Sequence, residues 1–258
     1  MAHLVVFQPI LLLTLGAALV VAQTNYCSSS LCGSSQHIAC GNTGAWSSAC
    51  PTSPAPIAVA ITPALRTQIV RGHNIRRQRL AAGNLPGFRP AVRMAPVRWN
   101  NELAQLAALN VKQCVMQHDA CHNTAQFKAS GQNLAMVGYG GARSSRTNQQ
   151  LVAQSLTMWW TEYRVTTMAQ INAYPSNYNG PAIGHFTAMA QEKNTHVGCA
   201  AARYFRNNMN YWLFACNYAT TNYIGLPVYT AGPTASKCTK GRNVNFNALC
   251  KVTEVYNL

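Results

Sequence analysis

The sequence predicts a layered α+β domain, and two patterns carry this prediction. Three segments with apolar residues at helical spacing alternate with four strand-like segments. The strand-like segments are residues 133–139, 185–190, 196–204 and 211–218. Residues 206–208 have the sequence Arg-Asn-Asn, and because asparagine favours turns we expect a hairpin between the last two strands. These elements imply a small antiparallel sheet covered by helices.

The first predicted helix begins at Thr62 and Pro63. A threonine hydroxyl caps a helix N-terminus, and proline fits the first helical position because no amide hydrogen is required there. Leu65 and Ile69 follow at helical spacing, and Gly83 is expected to lie beyond the end of the helix.

Two further helices are predicted to begin near Asn100 and near Asn148. The face of the second helix is marked by Trp99, Leu103, Leu106, Asn110 and Cys114, and that of the third by Leu151, Ser155, Trp159 and Glu162. Cys114 is therefore expected near the end of the second helix, on its core side. Large aromatic residues dominate protein cores, so Trp159, Trp160 and Trp212 are predicted to be buried.

Residues 1–22 are predicted to be a secretory signal. The stretch from Leu4 to Ala22 is mostly apolar, and the small residues Val20 and Ala22 occupy the third and first positions before Gln23. A retained signal anchor is the alternative. No Lys or Arg precedes the stretch, although a secretory signal usually begins with one. No other segment approaches the roughly 20 apolar residues of a spanning helix, so we expect a secreted, extracellular protein.

Three regions are predicted to follow the signal. Residues 23–62 form a cysteine-rich extension that ends in an extended, proline-containing linker, residues 63–230 form the main domain, and residues 231–258 form a tail. All ten cysteines lie after the signal, and an even count in a secreted chain predicts disulfides. Zinc is the alternative, but the close cysteine pairs that structural zinc sites need are missing.

The balance of 20 Lys and Arg against 5 Asp and Glu gives a formal net charge of +15. Such a chain is attracted to anionic glycans, anionic lipid surfaces and nucleic acid, although nothing indicates a specific nucleic acid. The alternative is that the charge serves solubility alone. Helical spacing would collect Arg71, Arg76, Arg77 and Arg79 into one exposed basic patch. The sequence leaves the oligomeric state open.

Several sequence runs together resemble the CAP superfamily of cysteine-rich secretory, antigen 5 and pathogenesis-related proteins. The similarity extends over residues 25–230 and favours the antigen 5 branch, in particular its dipteran members. The runs are Asn25-Tyr26-Cys27, His37-Ile38-Ala39-Cys40, His118-Asp119-Ala120-Cys121, Gly131-Gln132-Asn133-Leu134, Gly184-His185-Phe186-Thr187, Val197-Gly198-Cys199 and Cys216-Asn217-Tyr218.

The resemblance implies a three-layer α-β-α sandwich in which two histidines and two acidic residues face each other across a cleft. The matching positions here are His118, Gln132, Glu162 and His185, so an amide replaces one of the two acids. It also implies the pairs Cys27–Cys40, Cys32–Cys121, Cys50–Cys114 and Cys199–Cys216. Cys238 and Cys250 remain, and they can close a local loop in the tail.

The cleft residues suit a divalent metal ion. Neutral imidazoles are good ligands for Zn²⁺ or Cu²⁺, so His118 and His185 with Glu162 beside them and water would form an open site. Gln132 would be a hydrogen-bonding spectator that donates to Glu162 or to a bound water. The alternative is that both histidines are structural. No cofactor is required by anything in the sequence.

The favoured function is an extracellular binding protein for lipids, sterols or anionic partners. The alternative is a metal-dependent hydrolase that uses the histidine and glutamate cleft. Against catalysis, the sequence has no Gly-x-Ser-x-Gly run and no His-Glu-x-x-His run, and paired cysteines leave no thiol nucleophile. Asp119 would assist catalysis only if it turned towards the cleft. A channel toxin is a third interpretation, but it would need more cysteines after residue 230 than Cys238 and Cys250.

Overall fold

The computed structural model describes residues 24–257, so the expected signal segment lies outside the described residues. The helices are α1 (Ser29–Cys32), α2 (Pro63–Ala81), α3 (Asn101–Val111), α4 (Asn148–Thr161), α5 (Met168–Asn172) and α6 (Gly184–Ala190). The strands are β1 (Ile57–Ala58), β2 (Arg98–Trp99), β3 (Gly131–Tyr139), β4 (His196–Arg206) and β5 (Met209–Tyr218). None of the described helices combines the length and apolarity needed to cross a membrane.

One sheet organises the molecule, with strand order β1-β4-β5-β3 and with β2 paired to β4. The long strands β3, β5 and β4 are antiparallel neighbours. Asn207 and Asn208 join β4 to β5 with φ angles of 51° and 57°, in the left-handed region that asparagine tolerates. The predicted hairpin is therefore confirmed.

Both faces of the sheet are covered, which produces the three-layer α-β-α sandwich. Along β5, Trp212, Phe214 and Cys216 point into a core shared with α2, α4 and α6. The alternate residues Leu213 and Ala215 point into a second core shared with α3. Strands buried on both faces consist of continuous apolar runs, and this explains why the sequence of β5 shows no polar alternation.

The three predicted helix starts are confirmed, and a side-chain cap lies at each of them. The Thr62 hydroxyl accepts a hydrogen bond from the amide of Leu65, and the side chain of Asn100 accepts one from the amide of Leu103. At the start of α4, Thr147 forms a reciprocal capping box with the residue at the third helical position. Such caps satisfy amides that have no partner within the helix.

The prediction of a strand at residues 185–190 is wrong, because this segment is the helix α6. Every residue from Phe186 to Ala190 is buried, so the sequence lacks a polar face from which the period could be recognised. The first turn is fixed from outside the segment, since the Glu162 carboxylate accepts the amide hydrogens of His185 and Phe186. A local pattern could not reveal that contact.

The expected arginine patch on α2 is only partly correct, because Arg77 is fully buried. Its guanidinium donates hydrogen bonds to the backbone carbonyls of Ala95, Met189 and Gln191 at 2.6–2.9 Å. Burial lowers the pKa of Arg77 to about 10, so the side chain stays charged at neutral pH. The other three arginines of the expected patch remain at least partly exposed.

Five disulfides are present, with the pairings that the sequence analysis gives. The bonds Cys32–Cys121 and Cys50–Cys114 attach the N-terminal extension to the segment after α3, across separations of 89 and 64 residues. The extension also supplies β1, which pairs with β4. In the chain-entropy model, closing loops this long contributes about 4 kcal/mol each, so these bonds hold a segment with little core of its own.

We predict that Arg77→Met lowers the free energy of unfolding by about 3–5 kcal/mol, because several buried carbonyls lose their donors at about 1–3 kcal/mol each. The matched control is Arg71→Met on the same helix, whose arginine is exposed and should change stability by less than about 0.5 kcal/mol. Urea unfolding with intact disulfides measures both. Equal stability of the two variants would contradict the structural role given to Arg77.

Candidate functional site

The cleft implied by the family resemblance is a cavity of about 330 Å³. Its wall includes His118 from the segment after α3, Gln132 from β3 and His185 from the first turn of α6. Tyr174 and Asn222 line the same cavity from two loops. The structure thus brings both predicted histidines and the predicted amide to one surface.

Glu162 lies directly after α4 and is hydrogen-bonded to the start of α6. Its Oε1 atom is 2.6 Å from Nδ1 of His185, and its Oε2 atom accepts the amides of His185 and Phe186 at 2.9 and 3.0 Å. A carboxylate at a helix N-terminus satisfies free amides and interacts favourably with the helix dipole. Glu162 therefore both caps α6 and orients the imidazole of His185.

Gln132 orients the other histidine. Its Oε1 atom is 2.8 Å from Nδ1 of His118 and accepts the amide of Asp119, whereas its Nε2 atom donates to Oδ2 of Asp119 and to Oδ1 of Asn217. The expectation that this amide donates to Glu162 or to a bound water is wrong, because Asp119 and Asn217 accept both of its hydrogens. Its orientation is fixed, since a backbone amide can only donate and a carboxylate can only accept.

Asp119 holds the side chain of Gln132 from the buried side, away from the cleft. Its side chain is completely buried and accepts hydrogen bonds from Asn110 at 2.7 Å, Gln113 at 3.3 Å and Gln132 at 2.7 Å. Asp119 is not among the residues that line the cleft cavity. The condition under which it would assist catalysis, an inward turn, is not met.

These contacts decide which nitrogen of each imidazole carries the proton. Nδ1 of His185 faces a carboxylate oxygen and Nδ1 of His118 faces an amide oxygen, and both oxygens can only accept. Both rings therefore carry the proton on Nδ1 and present the lone pair of Nε2. Neither Nε2 atom has a hydrogen-bond partner within residues 24–257. This is the orientation that metal-binding histidines adopt.

Metal coordination would have to rely on these two nitrogens and on water. Among the described residues, no group of three or more His, Cys, Asp or Glu side chains could hold a metal ion. Glu162 is engaged with His185 and the start of α6, so it acts as an orienting partner and not as a ligand. The two imidazoles are one protein ligand fewer than open zinc sites usually have, so water would have to fill the remaining positions.

Sequence reasoning missed the amides that connect the cleft to the sheet. Nδ2 of Asn133 donates to the carbonyl of His185 at 3.1 Å and to the hydroxyl of Tyr218 at 3.2 Å. The same hydroxyl is 2.9 Å from Nε2 of His73, which is fully buried and whose pKa burial lowers to about 4. Asn133, Asn217 and Tyr218 all lie within the sequence runs that carry the family resemblance, and this was the available signal.

Residues 70–218 match the family described as the cysteine-rich secretory protein family, CAP. This chain belongs to the CAP family. The match covers the strands β2 to β5 and the helices α3 to α6, and it includes all four cleft positions.

Insect members of the CAP family are similar over most of the chain. Venom allergen-1 of Aedes albopictus is 38% identical over 250 residues, which are 93% of this chain and 95% of that protein. The antigen 5 like allergen Cul n 1 of Culicoides nubeculosus is 38% identical over 201 residues, which are 74% of this chain and 89% of that protein. The resemblance to the antigen 5 branch is confirmed.

Solved structures of similar proteins share the fold. BmVAL-1 superposes with a TM-score of 0.62 at 21% identity, covering 74% of this chain and 95% of that one. NaASP2, whose structure is described as containing Zn²⁺, superposes with a TM-score of 0.60 at 23% identity, covering 74% of this chain and 96% of that one. At these identities the likeness establishes the CAP fold.

We predict that both cleft histidines are Nδ1-protonated tautomers when neutral. Long-range ¹H–¹⁵N NMR at about pH 8, where free imidazole is neutral, distinguishes the two ring nitrogens. Gln132→Ala should release His118 into a mixture of tautomers and leave His185 unchanged, which makes His185 the internal control. A dominant Nε2-protonated form of either ring in the unaltered protein would contradict the hydrogen-bond assignment.

Proposed function

We propose that this CAP protein is a secreted, extracellular binding protein. Its cleft binds a divalent metal ion such as Zn²⁺ or Cu²⁺, its pockets and cationic surface bind lipids, sterols or anionic partners, and it is not an enzyme. The observation that carries the proposal is the pair of acceptors at Nδ1 of His118 and His185, which leaves two Nε2 lone pairs at one cavity. Five disulfides support secretion, because such bonds persist in oxidising compartments.

The metal assignment rests on the orientation of the two imidazoles. An imidazole whose Nδ1–H is held by an oxygen acceptor has a fixed ring orientation and a more basic Nε2, so its metal affinity rises. A bound Zn²⁺ would supply a Lewis acid with open positions for water or an anionic group of a partner. NaASP2, a structural relative, is described with Zn²⁺, which adds support.

The case against catalysis rests on how the carboxylates near the cleft are used. Glu162 accepts three hydrogen bonds from α6, and Asp119 is buried and accepts three from amide side chains. A general base must be within reach of the proton that it removes and must have a free lone pair directed there. Neither carboxylate meets this requirement. The imidazoles of His118 and His185 have free Nε2 lone pairs, but neither Nε2 has a hydroxyl or thiol partner within residues 24–257, and the described residues contain no free cysteine.

The cationic surface is unopposed by acidic groups. Each of the five acidic residues accepts hydrogen bonds within the protein, and none is fully exposed. Glu254, for example, is buried and bonded to Arg93, and Glu102 accepts the hydroxyl of Tyr26 at 2.9 Å. The charges that face solvent are therefore almost all positive, which favours partners with anionic groups.

We predict saturable Zn²⁺ binding in isothermal titration calorimetry that is lost in the double variant His118→Ala, His185→Ala. Protonated imidazole cannot bind metal, so the affinity should fall as the pH drops below about 6 and recover as the pH rises. The matched control His196→Gln removes a histidine outside the cleft and should leave binding unchanged. Equal Zn²⁺ uptake by the unaltered protein and the double variant would refute the metal site.

We also predict that the purified protein cleaves neither a peptide library nor ester substrates above the background rate. The reason is that no carboxylate or thiol is free to act as base or nucleophile at the cleft. Glu162→Gln serves as the reference variant, with folding verified by circular dichroism. Turnover that disappears in this variant while the disulfides stay intact would show that the protein is an enzyme.

A further inference from the structure

A second cavity lies away from the cleft, between α2, β2 and the C-terminal tail. It has a volume of about 650 Å³, within the range of small-molecule sites, and it shares no lining residue with the cleft. We call it the arginine groove, and its defining residues are Arg66, Val70, Arg71, Arg98, Trp99 and Phe246.

The three arginines of the arginine groove have unused hydrogen-bond donors. Arg66, Arg71 and Arg98 are exposed, and within residues 24–257 their guanidinium groups make neither a hydrogen bond nor a salt bridge. Arg77, by contrast, uses all of its guanidinium nitrogens in hydrogen bonds to backbone carbonyls. No acidic residue lines the groove, so nothing in its wall neutralises the three positive charges. Guanidinium groups with free donors and no acidic neighbour are suited to bind a sulfate, phosphate or carboxylate.

The remaining wall is apolar and aromatic. The side chains of Trp99 and Phe246 are partly buried, and both pack against the main core. The guanidinium carbon of Arg66 lies 5.1 Å from the centre of the Trp99 ring. A flat apolar ligand can stack on the indole ring and on the guanidinium planes of this wall. A bare inorganic anion has no surface that could stack there.

The tail gives the groove a fixed wall. Phe246 lies within the loop closed by Cys238 and Cys250, and Oδ1 of Asn243 accepts its amide at 3.1 Å. The loop is also joined to α2, because Oε1 of Gln78 accepts the amide of Ala248 at 2.8 Å. The disulfide of the tail therefore holds an aromatic side chain opposite the arginines of α2.

We infer that the arginine groove binds a small soluble organic anion, namely a flat aromatic body that carries a sulfate, phosphate or carboxylate group. This inference rests on the proposed affinity of the surface for anionic partners and gives one class of partner a defined site. A glycan polyanion offers no flat apolar body to Trp99 and Phe246. A membrane would require apolar groups that protrude from the surface, whereas these two rings pack against the core.

Isothermal titration calorimetry with naphthyl sulfate tests the inference on the full secreted protein. We expect one saturable site, and we expect Arg66→Gln combined with Arg98→Gln to weaken binding at least about tenfold, as the loss of two charge-assisted contacts predicts. Neither arginine makes a hydrogen bond or a salt bridge to the protein, and Arg66 contacts only the face of the Trp99 ring, so this variant should fold. Lys128→Gln removes an exposed charge outside the groove and should leave binding unchanged. Trp99→Leu should weaken binding while preserving every arginine.

Three comparisons distinguish binding at the arginine groove from general attraction of anions to the surface. Neutral naphthol should bind at least about tenfold more weakly than naphthyl sulfate, and inorganic sulfate at equal concentration should not displace naphthyl sulfate. The His118→Ala, His185→Ala variant should bind naphthyl sulfate normally, so the groove is tested independently of the metal site. If the Arg66→Gln, Arg98→Gln variant still binds heparin, its general affinity for anions is intact.

Two outcomes would overturn the inference. The first is equal binding of naphthyl sulfate by the unaltered protein and the Arg66, Arg98 variant, or full displacement by inorganic sulfate. The second is that naphthyl sulfate fails to bind while phosphatidylserine vesicles sediment the unaltered protein and not the variant, which would assign these arginines to a membrane surface.

Discussion

The carboxylate of Glu162 is the contact on which the cleft depends. It lies directly after α4, it satisfies two free amides at the start of α6, and it holds the imidazole of His185 by Nδ1. A single acceptor group thus fixes where α6 begins and which nitrogen of its histidine faces the cavity. Removing that charge would loosen the helix and the imidazole together, so the stability of α6 and the orientation of His185 are coupled at this residue.

Residues of the sheet fix a second side chain at the same cavity, that of Gln132. Gln132 on β3 and Asn217 on β5 are register partners, and their side chains share a hydrogen bond that fixes the orientation of the Gln132 amide. Asp119 accepts the other amide hydrogen from the buried side. An amide in place of a second carboxylate therefore orders His118 without adding negative charge. The consequence is a cleft where both imidazoles have a fixed orientation and the one carboxylate beside them, Glu162, is bonded to α6.

A structural feature can be predicted from the sequence when the residues that cause it are neighbours in the chain. The helix starts at Thr62 and Asn100 follow from side chains that cap their own helices, so the sequence contains the whole cause. The helical state of α6 and the burial of Arg77 depend on partners far along the chain, such as Glu162 and the carbonyl of Ala95. The four cleft positions came from the family resemblance, whereas the arginine groove combines three distant segments that no single run of sequence brings together.

Anomalous diffraction at the zinc edge from crystals soaked in Zn²⁺ tests the central claim most directly, because it locates the ion without relying on affinity. We expect one strong peak at the cleft within bonding distance of Nε2 of both His118 and His185, about 2.0–2.1 Å for zinc and imidazole nitrogen. Glu162 should remain on Nδ1 of His185 and on the amides of α6. A peak bound to Nδ1, to Glu162 in place of a histidine, or only outside the cleft would contradict the account.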